Sequence, residues 1–296
     1  MKIQFLNGGL ANQTFQYIFA RYYELSHPGD VMYMDDSYFT LNTVHNGYEL
    51  EKVFGVRPHM LSECFTKEVW NFILEEKRTG KSVPQILMDN GLQISMIAEA
   101  DDSQRTFNPF SGKIYSRPAN QYTPSVLELS GNVYYHGYWI NGSWFKKYKD
   151  IFLQELQFPA ITDPKNLTYS NQILSCDSLS IHIRRGDYVT LGWTWEADAY
   201  LPLIQKFREQ LSNDWHLFVF SDDIPWCREH ADEMGFQHFK SVTYVEGNTD
   251  GENYRDLQLM TLCKAMIVSQ SSFCYLASLL NTRKQYFINP TFREVC

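Results

Sequence analysis

Nowhere in this 296-residue chain does an uncharged apolar stretch approach the ~18 residues that would cross a bilayer. The apolar residues around Ile3 to Leu6 form too short a run for the core of a secretory signal, so a cytoplasmic location is expected. Cysteine is sparse and scattered. The six residues, Cys64, Cys176, Cys227, Cys263, Cys274 and Cys296, include no Cys-x-x-Cys pair, which argues against a zinc site and for reduced thiols. Positive charge is not in excess either. Twenty-six Lys and Arg against 34 Asp and Glu leave a net charge of −8, which excludes nucleic-acid binding driven by bulk electrostatics. An anionic ligand therefore needs a local cationic pocket. There is no Gly-x-Gly-x-x-Gly dinucleotide fingerprint, internal repeat, coiled coil or low-complexity tract.

What the chain does have is length and aromatic content. At 296 residues it exceeds the size at which one core stops growing, and two domains of roughly 150 residues are expected. Phe, Tyr and Trp make up 16%, enough for large cores and for stacking on planar or sugar-like ligands. Lys2 to Leu6 reads as a buried strand followed by the turn Asn7-Gly8-Gly9. A helix is expected from Asn12 to about Ser26, because Phe15, Ile18, Phe19, Tyr22 and Leu25 share one face at helical period. Pro28-Gly29 ends it, and Val31 to Met34 resumes as a strand. That is the opening unit of a Rossmann-like domain. Helical signal returns at Lys67 to Arg78. A strand is expected at Val133 to Tyr135 and a helix from Trp144 to about Leu156.

Pro159, Thr162, Asp163 and Pro164 read as a linker, which divides the chain into 1–158 and 159–296. Beyond it strands and helices alternate, with strands at Leu179–Ile183, Leu217–Phe220 and Ala265–Val268. The expected helices are Ala199–Leu211, Pro225–Met234, Asp256–Lys264 and Ser272–Leu280. The fold class is α/β, with parallel sheets whose strand carboxyl ends line a cleft for ligand.

Three segments carry chemistry. In Ser180-Ile181-His182-Ile183-Arg184-Arg185-Gly186-Asp187-Tyr188, strand alternation puts His182 and Arg184 on one face. Arginine's planar fork suits phosphate oxygens, although Arg184 and Arg185 also have acids such as Asp187 within easy reach. In Ser269-Gln270-Ser271-Ser272-Phe273, Ser271 or Ser272 at a helix start is a capping residue or one jaw of a diphosphate clamp. In Gly8-Gly9-Leu10-Ala11-Asn12-Gln13, Gly9 permits close backbone approach, while Asn12 caps the helix or reaches ligand. Ser221-Asp222-Asp223 is open to two readings, a metal-binding acid pair or a helix cap.

These segments resemble the bacterial α-1,2-fucosyltransferases. The resemblance rests on Gly8 to Gln13 with Phe15-Gln16-Tyr17, on Gly137-Tyr138-Trp139, and on the His182-x-Arg-Arg-Gly-Asp-Tyr188 run. It also includes Asp256-Leu257-Gln258-Leu259-Met260 and Ser271-Ser272-Phe273 through Leu280-Asn281, all in the family's order. The chain departs at Ala11, where the family usually has Gly, and at Gln270, where it has Asn. It departs again at Cys274-Tyr275-Leu276, often Trp-Trp-Gly in the family.

The resemblance implies the two-domain GT-B architecture, an N-terminal acceptor-side domain and a C-terminal GDP-fucose domain. It further implies inversion at the anomeric carbon, transfer to a terminal galactose of an oligosaccharide or lipid-linked glycan, and no metal or other cofactor. His182 and Asp256 would then hold the ribose and guanine, with Asp256 otherwise a helix cap. Arg184 with Ser271 and Ser272 would meet the phosphates, flanked by Arg185, Phe273 and Gly9. Asn12 would approach phosphate or fucose. Asp187 is the first choice for the base or else orients an arginine, with Glu196 and Asp198 behind it. Another linkage (α-1,6 or O-linked) and a noncatalytic nucleotide-sugar or glycan-binding protein remain open alternatives.

Overall fold

The computed structural model describes residues 1–42, 46–100, 113–118, 120–211, 214–249 and 251–291. The chain forms two compact units, Met1–Gln157 and a second that begins at Phe158. Each is built on its own five-stranded sheet with parallel pairing throughout. This is the GT-B plan of two α/β units.

In the first unit, β1 (Lys2–Phe5), β2 (Met32–Asp35), β3 (Ile94–Ala100), β4 (Lys113–Pro118) and β5 (Asn132–His136) run in the order β2-β1-β5-β3-β4. The first helix, Leu10–Ser26, buries the expected stripe of Phe15, Ile18, Phe19 and Tyr22. It starts two residues earlier than Asn12. Gly9 stands at the cap position without a side-chain cap, so Asn12 lies inside the first turn and is not the capping residue. The substitute cap comes from afar: the buried carboxylate of Glu49 accepts from the Leu10 N–H at 3.1 Å. Lys67–Arg78 is helical as expected, opened by Thr66, whose hydroxyl accepts from the Val69 N–H. The single helix expected from Trp144 is two, Gly142–Lys147 and Lys149–Glu155, broken at Tyr148.

Gly137-Tyr138-Trp139 follows β5 and has a local reason for its residues. Trp139 holds φ +55°, a left-handed conformation that costs a non-glycine residue about 1–3 kcal/mol. Glu99 offsets this by accepting both the Tyr138 and Trp139 N–H groups at 2.8 Å. A Cβ at Gly137 would come within 2.7 Å of the Glu99 side chain, so only glycine lets the carboxylate approach. The Trp139 ring is buried, stacked on Phe19 and donating to Gln4 Oε1 at 2.7 Å.

In the second unit, β6 (Ser178–Ile183), β7 (His216–Ser221), β8 (Ser241–Tyr244), β9 (Ala265–Ile267) and β10 (Tyr286–Ile288) take the order β10-β9-β6-β7-β8. Every residue of β6 is buried, as expected for a central strand covered on both faces. Leu179, Ile181 and Ile183 enter a core cluster with Leu217, Val219 and Ile267. Within the expected linker, Pro159 to Thr162 lie in no helix or strand, and Pro164 opens a helix. Asp163 caps Pro164–Leu174 by accepting from Asn166 N–H, with Pro at the first helical turn. The helix expected over Pro225–Met234 is split at His230 into Ile224–Glu229 and Ala231–Met234. The one expected from Asp256 is Tyr254–Met260.

Candidate active site

In the second unit the chain steps from β6 to β7 to β8 on one side, then crosses to β9 and β10 on the other. The order reverses between β6 and β9, and open α/β sheets bind ligands beyond the carboxyl ends of their strands at such a switch point. The residues beyond those two ends are Arg184-Arg185-Gly186-Asp187 and Ser269-Gln270-Ser271-Ser272. Two of the three chemistry-bearing segments thus meet here, because β6 and β9 pair directly.

His182 closes the floor. It is buried, its ring lies 5.4 Å from that of Phe273, and its Nδ1 has no hydrogen-bond partner among the described residues. Burial, reinforced by the Arg184 charge, pushes its pKa down to about 3, so the imidazole is neutral at physiological pH. A buried ring nitrogen without a partner is costly unless a ligand meets it. Across from it, Ser271 caps the helix Ser272–Leu280, its hydroxyl accepting from the Phe273 N–H at 3.3 Å. The capping role is therefore real, and the first-turn amides still favour an anion.

Arg184 lies one residue past the end of β6, not on its face, and enters a lattice of acids. Its Nη2 meets Asp187 Oδ1 at 2.6 Å and its Nη1 meets Asp222 Oδ2 at 2.7 Å. The other Asp222 oxygen accepts from the Arg185 N–H at 2.8 Å. Gly186 permits this: a Cβ there would stand 2.5 Å from Asp222 Oδ2. Arg185 turns away. It pairs with Asp223 at 3.2 Å and lies 3.8 Å over the Trp226 ring, a structural rather than ligand-facing setting.

Asp223 also caps the helix that follows, accepting from Trp226 N–H. The acid pair therefore serves two arginines and a cap. Among the described residues no group of three or more His, Cys, Asp or Glu comes together that could hold a metal ion. Beside the lattice, Val189, Leu191 and Trp193 are about half exposed. Gln270 ties this stretch to the β9 end by donating to the Trp193 carbonyl at 3.2 Å.

Asp256 is not a cap. Asn253 holds that position, and Asp256 sits in the first turn of a helix packed against Ser272–Leu280. Desolvation pushes its carboxyl up to about 7, against a 2.7 Å hydrogen bond donated by Asn248. Asn248 was missed in the sequence, as were Glu49 and Glu99. Each acts across at least eight residues and carries no local signal.

In the first unit, the Asn7 side chain accepts from Gln16 at 2.6 Å and donates to the Tyr138 hydroxyl at 3.4 Å, joining the ends of β1 and β5. The space beside Gly9 is open. At that helix start the Leu10 N–H is already taken by the Glu49 carboxylate. Of the family departures, Ala11 and Cys274-Tyr275-Leu276 are buried core positions.

The model of glycosyl transferase family 11 matches residues 5–294. The chain belongs to that family. It is the family of the α-1,2-fucosyltransferases that the motifs resemble. An α-1,2-colitosyltransferase of Escherichia coli is 28% identical over 276 residues, covering 91% of this chain and 84% of that protein. The O-antigen biosynthesis glycosyltransferase WbnK of E. coli is 24% identical over 296 residues, covering 94% and 89%. Among solved structures, NodZ α-1,6-fucosyltransferase co-crystallised with GDP superposes with a TM-score of 0.51 at 13% identity, covering 94% of this chain and 92% of that one. At that identity the likeness concerns the fold alone. This family 11 transferase has no helix, among the described residues, long and apolar enough to cross a membrane.

Proposed function

We propose that this transferase moves L-fucose from GDP-β-L-fucose, with inversion and without a metal, to the 2-hydroxyl of a terminal galactose. The observation that carries the reading is His182, buried, neutral and unpartnered at Nδ1, at the switch point between Arg184 and the Ser272 helix start. That is a site built for a nucleotide diphosphate. A neutral ring nitrogen takes a ribose hydroxyl, a guanidinium fork and first-turn amides take phosphate oxygens, and Asp256 accepts from guanine N1–H and N2–H₂. As the acceptor oxygen attacks the anomeric carbon, the bond to the β-phosphate breaks and its electron pair leaves with GDP. Arg184 and the amides of Ser271 and Ser272 meet that developing charge. Asp187, the more exposed of the two acids on Arg184, takes the acceptor proton. Trp193 offers an aromatic face for a sugar ring.

The α-1,2-colitosyltransferase relative supports a second reading, in which the sugar transferred is colitose. The test is transfer from GDP-fucose and GDP-colitose to a panel of galactosides, with linkage analysis of the product. An α-1,2-fucosyl galactoside is expected. Exclusive use of GDP-colitose moves the assignment to the second reading, an α-1,6 product overturns the linkage, and nucleotide binding without any turnover overturns the enzyme.

A further inference from the structure

We infer that Asp187 holds the donor phosphate's place on Arg184 in the resting enzyme, and that donor binding displaces it and thereby delivers the base. The inference rests on the diphosphate reading above and adds an order of events to it.

The two acids on Arg184 are not equivalent. Asp222 is fixed from two sides, since one oxygen takes the guanidinium and the other takes the Arg185 N–H at 2.8 Å, with Gly186 packed against it. Its side chain is 27% exposed. Asp187 is 51% exposed and its hydrogen bond is to Arg184 Nη2 at 2.6 Å, three residues back along the chain. Asp222 therefore aims the fork, while Asp187 occupies the outward half of it. An exposed ion pair of this kind contributes little and is easily exchanged. A diphosphate carries more charge and arrives with additional contacts at the Ser272 helix start, so it wins Nη2.

Exchange has a chemical consequence. While paired, the Asp187 carboxylate is engaged by Arg184 Nη2 at 2.6 Å and is held to the guanidinium instead of to an acceptor hydroxyl. Once phosphate takes Nη2, the carboxylate is released beside the reacting end of the donor. It then takes the proton of the acceptor hydroxyl as that oxygen bonds to the anomeric carbon and GDP departs with the electron pair. Without donor the base stays locked, which disfavours acceptor activation in an empty site.

The test neutralises each acid in turn and measures calorimetric affinity for inorganic pyrophosphate and for GDP, with turnover alongside. In Asp187→Asn both anions bind roughly two- to fivefold more tightly, because their competitor is gone, while kcat falls by about 10²–10⁴. In Asp222→Asn both bind more weakly, because the fork loses its aim. Asp187→Ser repeats the first result because the competitor is gone there too, whereas tightening confined to Asp187→Asn means that the asparagine amide itself bonds phosphate and overturns the inference; a melting curve reports folding of each variant. Opposite signs at the two positions carry the inference. Equal tightening at both means only bulk charge was removed and overturns it, as does weaker binding in Asp187→Asn. Pyrophosphate reads the exchange alone. If it behaves as described while GDP binds no better than UDP or ADP, the guanine reading fails and the exchange stands.

Discussion

Asn248 donates from Nδ2 to Asp256 Oδ1 at 2.7 Å while exchanging hydrogen bonds with the Asn166 amide at 2.9 Å in both directions. The pair of amides fixes Asn248, so Asp256 is held by a donor that is itself locked across 82 residues. Its carboxyl nonetheless titrates near 7, because one neutral donor does not replace lost water.

This sets a pH dependence. Folding raises the pKa from its ordinary 3.8 to about 7, so the native protein holds an extra proton between those values. Asp256 thus contributes stability that is fully present below about 4 and is lost as pH rises through about 7. Guanine reverses the preference, since its N1–H and N2–H₂ both need an acceptor and favour the carboxylate. GDP affinity of the wild type should therefore rise with pH through about 7. In Asp256→Ala that rise should shrink to the part due to the nucleotide's own phosphate. Wild type should also prefer GDP to inosine diphosphate, which lacks the N2 amine, by about tenfold or more, the worth of a charge-assisted bond of roughly 1.5–3 kcal/mol. Titration calorimetry of both nucleotides at three pH values decides it. A variant that keeps the wild-type preference shows that guanine is read elsewhere.

Arg184 has two nitrogens engaged by two acids, a geometry that a single ammonium cannot reproduce. Arg184→Lys should lower kcat/KM by about 10²–10³, the effect of removing a preorganised donor from a developing charge. Because Arg184 is only half-buried, the melting temperature should change little. A lysine variant with most of its activity would refute the phosphate role.

Metal removal separates the two readings of Ser221-Asp222-Asp223. Both carboxylates are engaged, Asp222 with Arg184 and the Arg185 N–H, Asp223 with Arg185 and the Trp226 N–H. Turnover should survive excess EDTA with kcat unchanged. Should chelation stop it and Mg²⁺ or Mn²⁺ restore it, the acids leave the arginines in the working enzyme and bind the metal instead.

Much of the fold could be read locally. Lys67–Arg78 and Ser272–Leu280 were legible because apolar period and a capping hydroxyl, Thr66 or Ser271, lie within one turn of each other. β3, β4, β8 and β10 were not: β8 and β10 are too short for a period of two, and β3 and β4 are longer but their sequences do not alternate strictly between apolar and polar residues. Two of the expected helices are each interrupted by a single residue out of helical conformation, Tyr148 and His230, which periodicity did not signal.

The site divides in the same way. By itself the sequence determined which residue types stand at the ends of β6 and β9, because strand length and alternation are short-range properties. It also determined the family, through blocks kept in order along the chain. Only the tertiary structure decided what those residues face. Glu49 reaches the first helix across 39 residues, Glu99 supports Trp139 across 40, and Asp222 reaches Arg185 across 37. The neutral state of His182 and the high pKa of Asp256 likewise come from water excluded by remote elements. Desolvation and ion pairing depend on distances in space, and separation along the chain does not encode them.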